Sequence, residues 1–220
     1  MAASGGNGES TTKPKVYSTP INFCPSCGGQ VSKQVPEGEV EERAVCTQCH
    51  KVHYVNPKMV VGCVASYDNK VLLCKRAIKP SLGLWTLPAG FMELGESAAE
   101  GAARETQEEA LTIVHIVAPY AHLDIPLIGQ SYIIFRGELE KADFKPGPES
   151  LDVRLFALDE IPWDLLAFTS VTVVLKKYIE DIERGAFGVH HGVIEKKPGS
   201  SPSDPDGYVL RDHMVVPGPR

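Results

Sequence analysis

The chain has 220 residues, 43% of them apolar and 23% charged, with a net charge of −6. That balance suits one main globular domain with a small appendage, and the acidity gives no electrostatic support for bulk binding to nucleic acid or to an anionic membrane surface. No apolar run reaches transmembrane length, and the opening MAASGGNGESTTKPKVYSTP has no apolar h-region, so it is not a secretory signal.

Residues 1–20 are small, hydroxylated and Gly-rich and read as disordered, with too little arginine for a convincing transit peptide. From residue 21 to 56 the chemistry changes. Cys24-Pro-Ser-Cys27 and Cys46-Thr-Gln-Cys49 form two C-x2-C pairs at the spacing of a zinc ribbon, in which each pair makes one knuckle and four thiolates close a tetrahedral site. Two disulfides are the alternative, but residues two apart make a poor staple, and nothing indicates an oxidising compartment. A shell of Cys24, Cys27, Cys46 and Cys49 leaves no open position, so the expected zinc is structural. Glu37, Glu39, Glu41 and Glu42 make this segment acidic, which favours a folding or dimer-forming role over nucleic-acid binding.

The main domain is expected over residues 57–185. Val60–Ala65 is a buried-strand run, Asp68-Asn69 a turn, and Val71–Cys74 a second strand. Cys63 and Cys74 lie inside these runs as inert buried thiols. Lys75 and Arg76 end the second strand, where Arg76 is a candidate phosphate contact. Trp85–Ala89 then leads into GFMELGESAAEGAARETQEE, Gly90–Glu109. Ser97 and Glu100 make a capping box, so a helix begins there. Helical spacing puts Glu105, Glu108 and Glu109 on one face and the small stripe Ala99, Ala103, Thr106 and Ala110 on another. Three carboxylates on one turn repel each other unless a cation joins them, and a hard ion such as Mg²⁺ suits an all-oxygen set. Arg104 can fix a carboxylate, with Glu96 or Glu108 nearest.

Beyond this stretch, Ile113–Leu123 and Ser131–Gly137 read as strands separated by a loop over Asp124–Gly129. A second loop, Lys145–Ser150, enters the strand Leu151–Leu158. A short helix is expected over Asp159–Leu166 and a longer amphipathic one over Thr169–Arg184. Residues 186–220 are Pro/Gly/Ser-rich and read as a tail.

Gly90, Glu96, Arg104, Glu105, Glu108 and Glu109 match the Nudix box, G-x5-E-x7-R-E-U-x-E-E-x-G-U, and the stretch resembles that family's signature. It departs at Thr106, Leu111 and Thr112, and Leu111 stands where the family has a glycine that helps the chain leave the helix. The resemblance implies an α/β fold, the Nudix α/β/α sandwich with a mixed sheet, and metal-dependent hydrolysis of a nucleoside diphosphate joined to another moiety. It implies Mg²⁺ or Mn²⁺ held by Glu105, Glu108 and Glu109 with the Gly90 region. Glu149, placed before a strand with Leu155-Phe156 where relatives carry Trp-Phe, would be a remote ligand. The resemblance leaves the acceptor of the water's proton open, with Glu105 first, and gives Arg104 an orienting part. Pro126 resembles a proline of the ADP-ribose-cleaving subgroup and reads equally as a turn proline.

A zinc ribbon before a Nudix domain resembles the bacterial NADH pyrophosphatases, whose SQPWPFP phrase this chain lacks. CPSCGG, NPKMVVG, LDIPLIGQ, PGPES, RLFALDEIP and PGSSPSD resemble plant chloroplast Nudix hydrolases. That likeness implies FAD and ADP-ribose as substrates and a plastid location. Expected partners are a small dinucleotide and a homodimer mate, not nucleic acid or membrane. A catalytically silent nucleotide sensor is the competing reading, which three retained metal carboxylates disfavour.

Overall fold

A computed structural model describes residues 20–200 and 206–218, so the reading of residues 1–19 lies outside the described residues. The chain forms two compact units, one ending at Val55 and one beginning at Asn56. In the first, β1 (Val31–Gln34), β2 (Arg43–Cys46) and β3 (Val52–His53) make an antiparallel sheet in that order. Its buried apolar side chains are few, chiefly Cys24, Val45 and Cys46. So small a core needs a bound metal to hold it.

The second unit opens with a hairpin of β4 (Lys58–Tyr67) and β5 (Lys70–Arg76). Asp68 and Asn69 join them, both with φ in the left-handed region, as a two-residue hairpin turn requires. Then follow β6 (Trp85–Thr86), β7 (Ala89–Phe91), α1 (Ala98–Ala110), β8 (Val114–Ile125), β9 (Gln130–Leu139), β10 (Ser150–Ala157), α2 (Thr169–Arg184), β11 (Gly188–Lys196) and β12 (Tyr208–Pro217). The sheet runs β10-β5-β4-β9-β8-β11-β12, with β6 beside β5 and β7 beside β4. It is mixed: β4 with β9 and β8 with β11 are parallel, and the other neighbours antiparallel.

Both faces of this sheet are covered, which explains why its central strands are continuously apolar instead of alternating. Val64, Val71 and Leu73 join a core with Val171, Val174 and Leu175 of α2. Their neighbours Cys63, Ala65, Leu72 and Cys74 join one with Ala102 and Ala110 of α1. This is the expected α/β/α sandwich, and Trp85 belongs to its core. Among the described residues no helix is long and apolar enough to cross a membrane.

Three expectations need correction. The tail over 186–220 contains β11 and β12, and β11 adds to the sheet beside β8. The helix over Asp159–Leu166 is only a 3-10 turn, Trp163–Leu165, because Pro162 disfavours helical backbone at the preceding Ile161. Asp124 and Ile125 are not loop but the end of β8, paired with Ser131 and Gln130, so the turn shrinks to Pro126–Gly129. The small stripe of α1 does pack on the core, with Thr106 and Ala110 buried and Ala99 and Ala103 half-buried against it, and Gly101 and Ala102 are buried beside them. Gly101 is where α1 packs closest, since a Cβ there would lie 2.8 Å from Val61 and 2.7 Å from Glu96.

Candidate active site and metal positions

Strand β7 sets the floor of the site. It pairs with β4, Gly90 opposite Val61, and α1 starts seven residues later at Ala98 behind a full capping box. In that box Ser97 Oγ accepts from Glu100 N–H (3.3 Å) and Glu100 Oε2 from Ser97 N–H (2.8 Å). The helix packs so close that a Cβ on Gly90 would lie 2.4–2.5 Å from both carboxyl oxygens of Glu105. Only glycine lets this backbone touch that carboxylate.

Arg104 organises the acids around it. Its Nε and Nη2 clasp Glu96 at 2.9 and 2.8 Å. Nη1 donates to Glu105 (2.8 Å) and Glu108 (3.0 Å), and Nη2 also to the carbonyl of Phe91 (3.2 Å). The choice posed between Glu96 and Glu108 thus resolves to both, with Glu105 besides. Arg104 and the N–H of Glu93 hold the Glu96 carboxyl down at about 2.

The three glutamates do not share one environment. Glu105 and Glu109, one turn apart, face the sheet and are 8% and 6% exposed, while Glu108 sits on the rim in solvent. At 100° per residue, the arc that buries positions 105 and 109 turns 108 outward. Burial raises the Glu105 carboxyl and, with the charge of Glu105, pushes Glu109 up to about 8. Arg76 works against this at Glu109, and Glu149 adds to it. Glu96, Glu105, Glu108, Glu109 and Glu149 gather here with two guanidiniums, Arg104 bonded to Glu105 and Arg76 acting on Glu109; that balance is short of positive charge and fits a divalent cation held by Glu105, Glu109 and the Gly90 backbone.

Glu149 reaches this neighbourhood because its loop docks on the end of α1. Lys145 N–H donates to Ala110 O (2.9 Å) and Gly147 N–H to Glu109 O (3.0 Å). A Cβ on Gly147 would sit 1.7 Å from Glu108 O, so this contact also demands glycine. Gly147 was missed by sequence reasoning; its signal is the Pro-Gly-Pro ahead of Glu149. Among the described residues, Cys24, Cys27, Cys46 and Cys49 are the one group of three or more potential ligands whose atoms lie within 4.8 Å of one another; the glutamates do not converge that closely.

Arg76 is half-buried and committed on one side: Nε donates to Pro80 O (2.8 Å) and the guanidinium lies 5.1 Å from the Phe168 ring centre. Phe168 lines a cavity of about 50 Å³ between sheet and α2, together with Ala89, Tyr132 and Ser170. Pro126 opens the turn that closes β8 onto β9, and Gly129 O accepts from Lys58 N–H (2.9 Å) at the start of β4. Lys58 Nζ rests 4.8 Å from the ring centre of Phe91, a half-exposed aromatic next to Gly90 that sequence reasoning also missed.

In the other unit, Cys24 Sγ lies 3.7 Å from Cys49 Sγ and Cys27 Sγ 3.4 Å from Cys46 Sγ. Thiolates on one tetrahedral zinc stand about 3.8 Å apart, so the donor set fits that ion. The N–H groups of Cys49 and Gln48 point at Cys46 Sγ (both 3.4 Å) and help bring this thiol down to about 6.

Residues 56–175 match the family model described as the NUDIX domain, and residues 22–55 match the one described as Nudix N-terminal, a zinc ribbon. The chain belongs to the Nudix family. A crystal structure of a NUDIX hydrolase from Nitrosomonas europaea is 50% identical, with a TM-score of 0.78, covering 80% of this chain and all of that one. An ADP-ribose pyrophosphatase from Methanocaldococcus jannaschii is 31% identical over 113 residues, 50% of this chain and 67% of that protein. An NAD-capped RNA hydrolase NudC from Vibrio atlanticus is 25% identical over 169 residues, 76% of this chain. This Nudix chain spans 60% of that NudC's length.

Proposed function

We propose that this Nudix chain hydrolyses the pyrophosphate bond of ADP-ribose and of dinucleotides of the NAD and FAD class, giving two monophosphate products. The observation that carries this is the buried Glu105–Glu109 pair under Gly90, short of positive charge and open to a divalent ion. Mg²⁺ or Mn²⁺ bound there, with Glu108 and Glu149 at the rim, would neutralise the pyrophosphate and acidify the attacking water. The chain's own residues do the rest. Water oxygen attacks one phosphorus, the bridging P–O bond breaks, and the water's proton passes to a carboxylate. Glu105 is the first choice, since burial makes it more basic than an ordinary glutamate. Arg104 holds Glu105 in register. Arg76, with Phe168, borders the recess beside Ala89 and supplies a cation to the substrate's phosphates.

Within that class, FAD and ADP-ribose ahead of NADH is the finer reading, supported by the missing SQPWPFP phrase and by Pro126. Plastid location and a ribbon-mediated dimer are proposed with it. NADH first is the second reading, favoured by the ribbon-plus-Nudix layout matched to NudC across 76% of the chain. Comparing kcat/KM for ADP-ribose, FAD and NADH with Mg²⁺ and then Mn²⁺ decides between them. Glu109→Gln should abolish turnover and leave the fold intact. Failure of the wild type on every compound with either metal would hand the assignment to a nucleotide sensor.

A further inference from the structure

Two histidines outside the box meet across adjacent strands. His122 on β8 and His191 on β11 are register partners, and His122 Nδ1 lies 3.2 Å from His191 Nε2. Behind His122, Nε2 lies 2.8 Å from Ser131 Oγ, and Ser131 donates its hydroxyl proton to Asp124 Oδ1 at 2.7 Å. Serine has one proton to give. With that proton on Asp124, Ser131 Oγ must accept from His122 Nε2–H, which fixes the tautomer. The lone pair of neutral His122 is therefore on Nδ1, aimed at the gap beside His191.

We propose that His122 Nδ1 and His191 Nε2 form a binding site for a divalent transition ion of the zinc, nickel or copper kind. Two imidazole nitrogens on one tetrahedral zinc, each about 2.0–2.1 Å from it, stand about 3.3 Å apart, close to the spacing seen. The ring centres are 4.5 Å apart with planes at 63°. Without an ion, His191 Nε2–H donates to the lone pair of His122 Nδ1; an ion would displace that proton and take a lone pair from each ring. A second pair is built differently: His190 and His213 are parallel to 6° with centres 5.2 Å apart, and behind them His190 Nε2 lies 3.0 Å from the fully buried carboxylate of Asp181. That pair is a hydrogen-bonded relay.

The chain Asp124–Ser131–His122 is the arrangement that orients a metal-binding imidazole, a carboxylate acting on the far ring nitrogen. Imidazole suits zinc, copper and nickel, and the hard ions expected at the glutamates prefer oxygen. His122 is half-buried, so water can complete the shell. An ion here would clip β8 to β11 just before the Pro126 turn.

The test uses zinc-replete, tag-free full-length protein titrated with Cu²⁺ and followed by electron paramagnetic resonance. One copper per chain with coupling to two imidazole nitrogens is expected. Affinity should fall at least tenfold in His191→Ala and about tenfold in Asp124→Asn, and stay unchanged in His213→Ala. Ni²⁺ should raise the Tm of the wild type and not of His191→Ala. A wild-type spectrum without two nitrogen ligands, or copper found only at sulfur, would overturn the site without need of any variant. So would unchanged affinity in a folded His191→Ala.

Discussion

Gly147→Ala puts the geometry of the site under the most direct test. The added carbon would lie 1.7 Å from Glu108 O, where anything under 3.0 Å forces a shift, and the obstacle is backbone with no side chain to swing aside. The loop or the end of α1 must therefore retreat by about 1 Å or more. Retreat weakens the Gly147 N–H bond to Glu109 O, a loss of about 0.5–1.5 kcal/mol, and overpacking adds about 1–3 kcal/mol. It also carries Glu149, two residues on, away from Glu105 and Glu109. A misplacement of about 1 Å costs on the order of a hundredfold in rate. Steady-state ADP-ribose hydrolysis with Mg²⁺, beside a thermal melt, reads both effects. A lower Tm with unchanged kcat would remove Glu149 from the site, and no change in either would refute the docking of the loop on α1.

Three further substitutions separate other parts of the argument. Leu111 caps α1 with φ of 48°, a conformation that costs a branched side chain about 1–2 kcal/mol; Leu111→Gly should stabilise the protein by somewhat less, because glycine gains entropy in the unfolded chain, and a lower Tm would contradict it. Glu96 has its folded pKa lowered to about 2 from an unfolded value near 4.3, so the stability it confers is full above about pH 4.3 and is lost as pH falls toward 2; the Tm gap between wild type and Glu96→Gln should close over that window, and a constant gap would show that the clasp to Arg104 contributes nothing. Asp181 is fully buried and accepts from Arg184, from Gly188 N–H and from His190; Asp181→Ala should cost about 3–5 kcal/mol, seen in chemical denaturation, and a loss below 1 kcal/mol would mean the relay does not tie α2 to β11.

The parts of the molecule legible in the sequence are those set by local chemistry. Ser97 and Glu100 cap their own helix, Asp68-Asn69 turns its own hairpin, and four cysteines at fixed spacing define a ribbon. What stayed hidden depends on partners distant in the chain. β11 reads as polar and glycine-bearing because its identity as a strand comes from β8, more than sixty residues earlier, and the Pro/Gly/Ser run between β11 and β12 masks both. Glu108 could not be told from Glu105 and Glu109 by spacing alone, since the face that is buried depends on where α1 meets β4. Gly147 looked like a loop residue because the carbonyl it must clear belongs to another element.

In the proposed reaction the glutamates and their metal would meet only what ADP-ribose, FAD and NADH share, the pyrophosphate, so discrimination would have to come from groups that meet the parts in which they differ. Three candidates are Phe91 with Lys58, the recess of Phe168 and Tyr132, and the Pro126–Gly129 turn. Of these the turn is the most rigidly framed. Gly129 O binds the start of β4, and the ends of β8 and β9 are bridged by the Asp124–Ser131 hydrogen bond. A ligand meeting a turn already fixed at both ends loses little further entropy in ordering it. Selectivity built there should therefore appear in binding of the differing half with the chemical step left alone. Pro126→Ala should change relative KM values and leave kcat nearly constant, whereas loss of kcat alone would return the turn to a purely structural part.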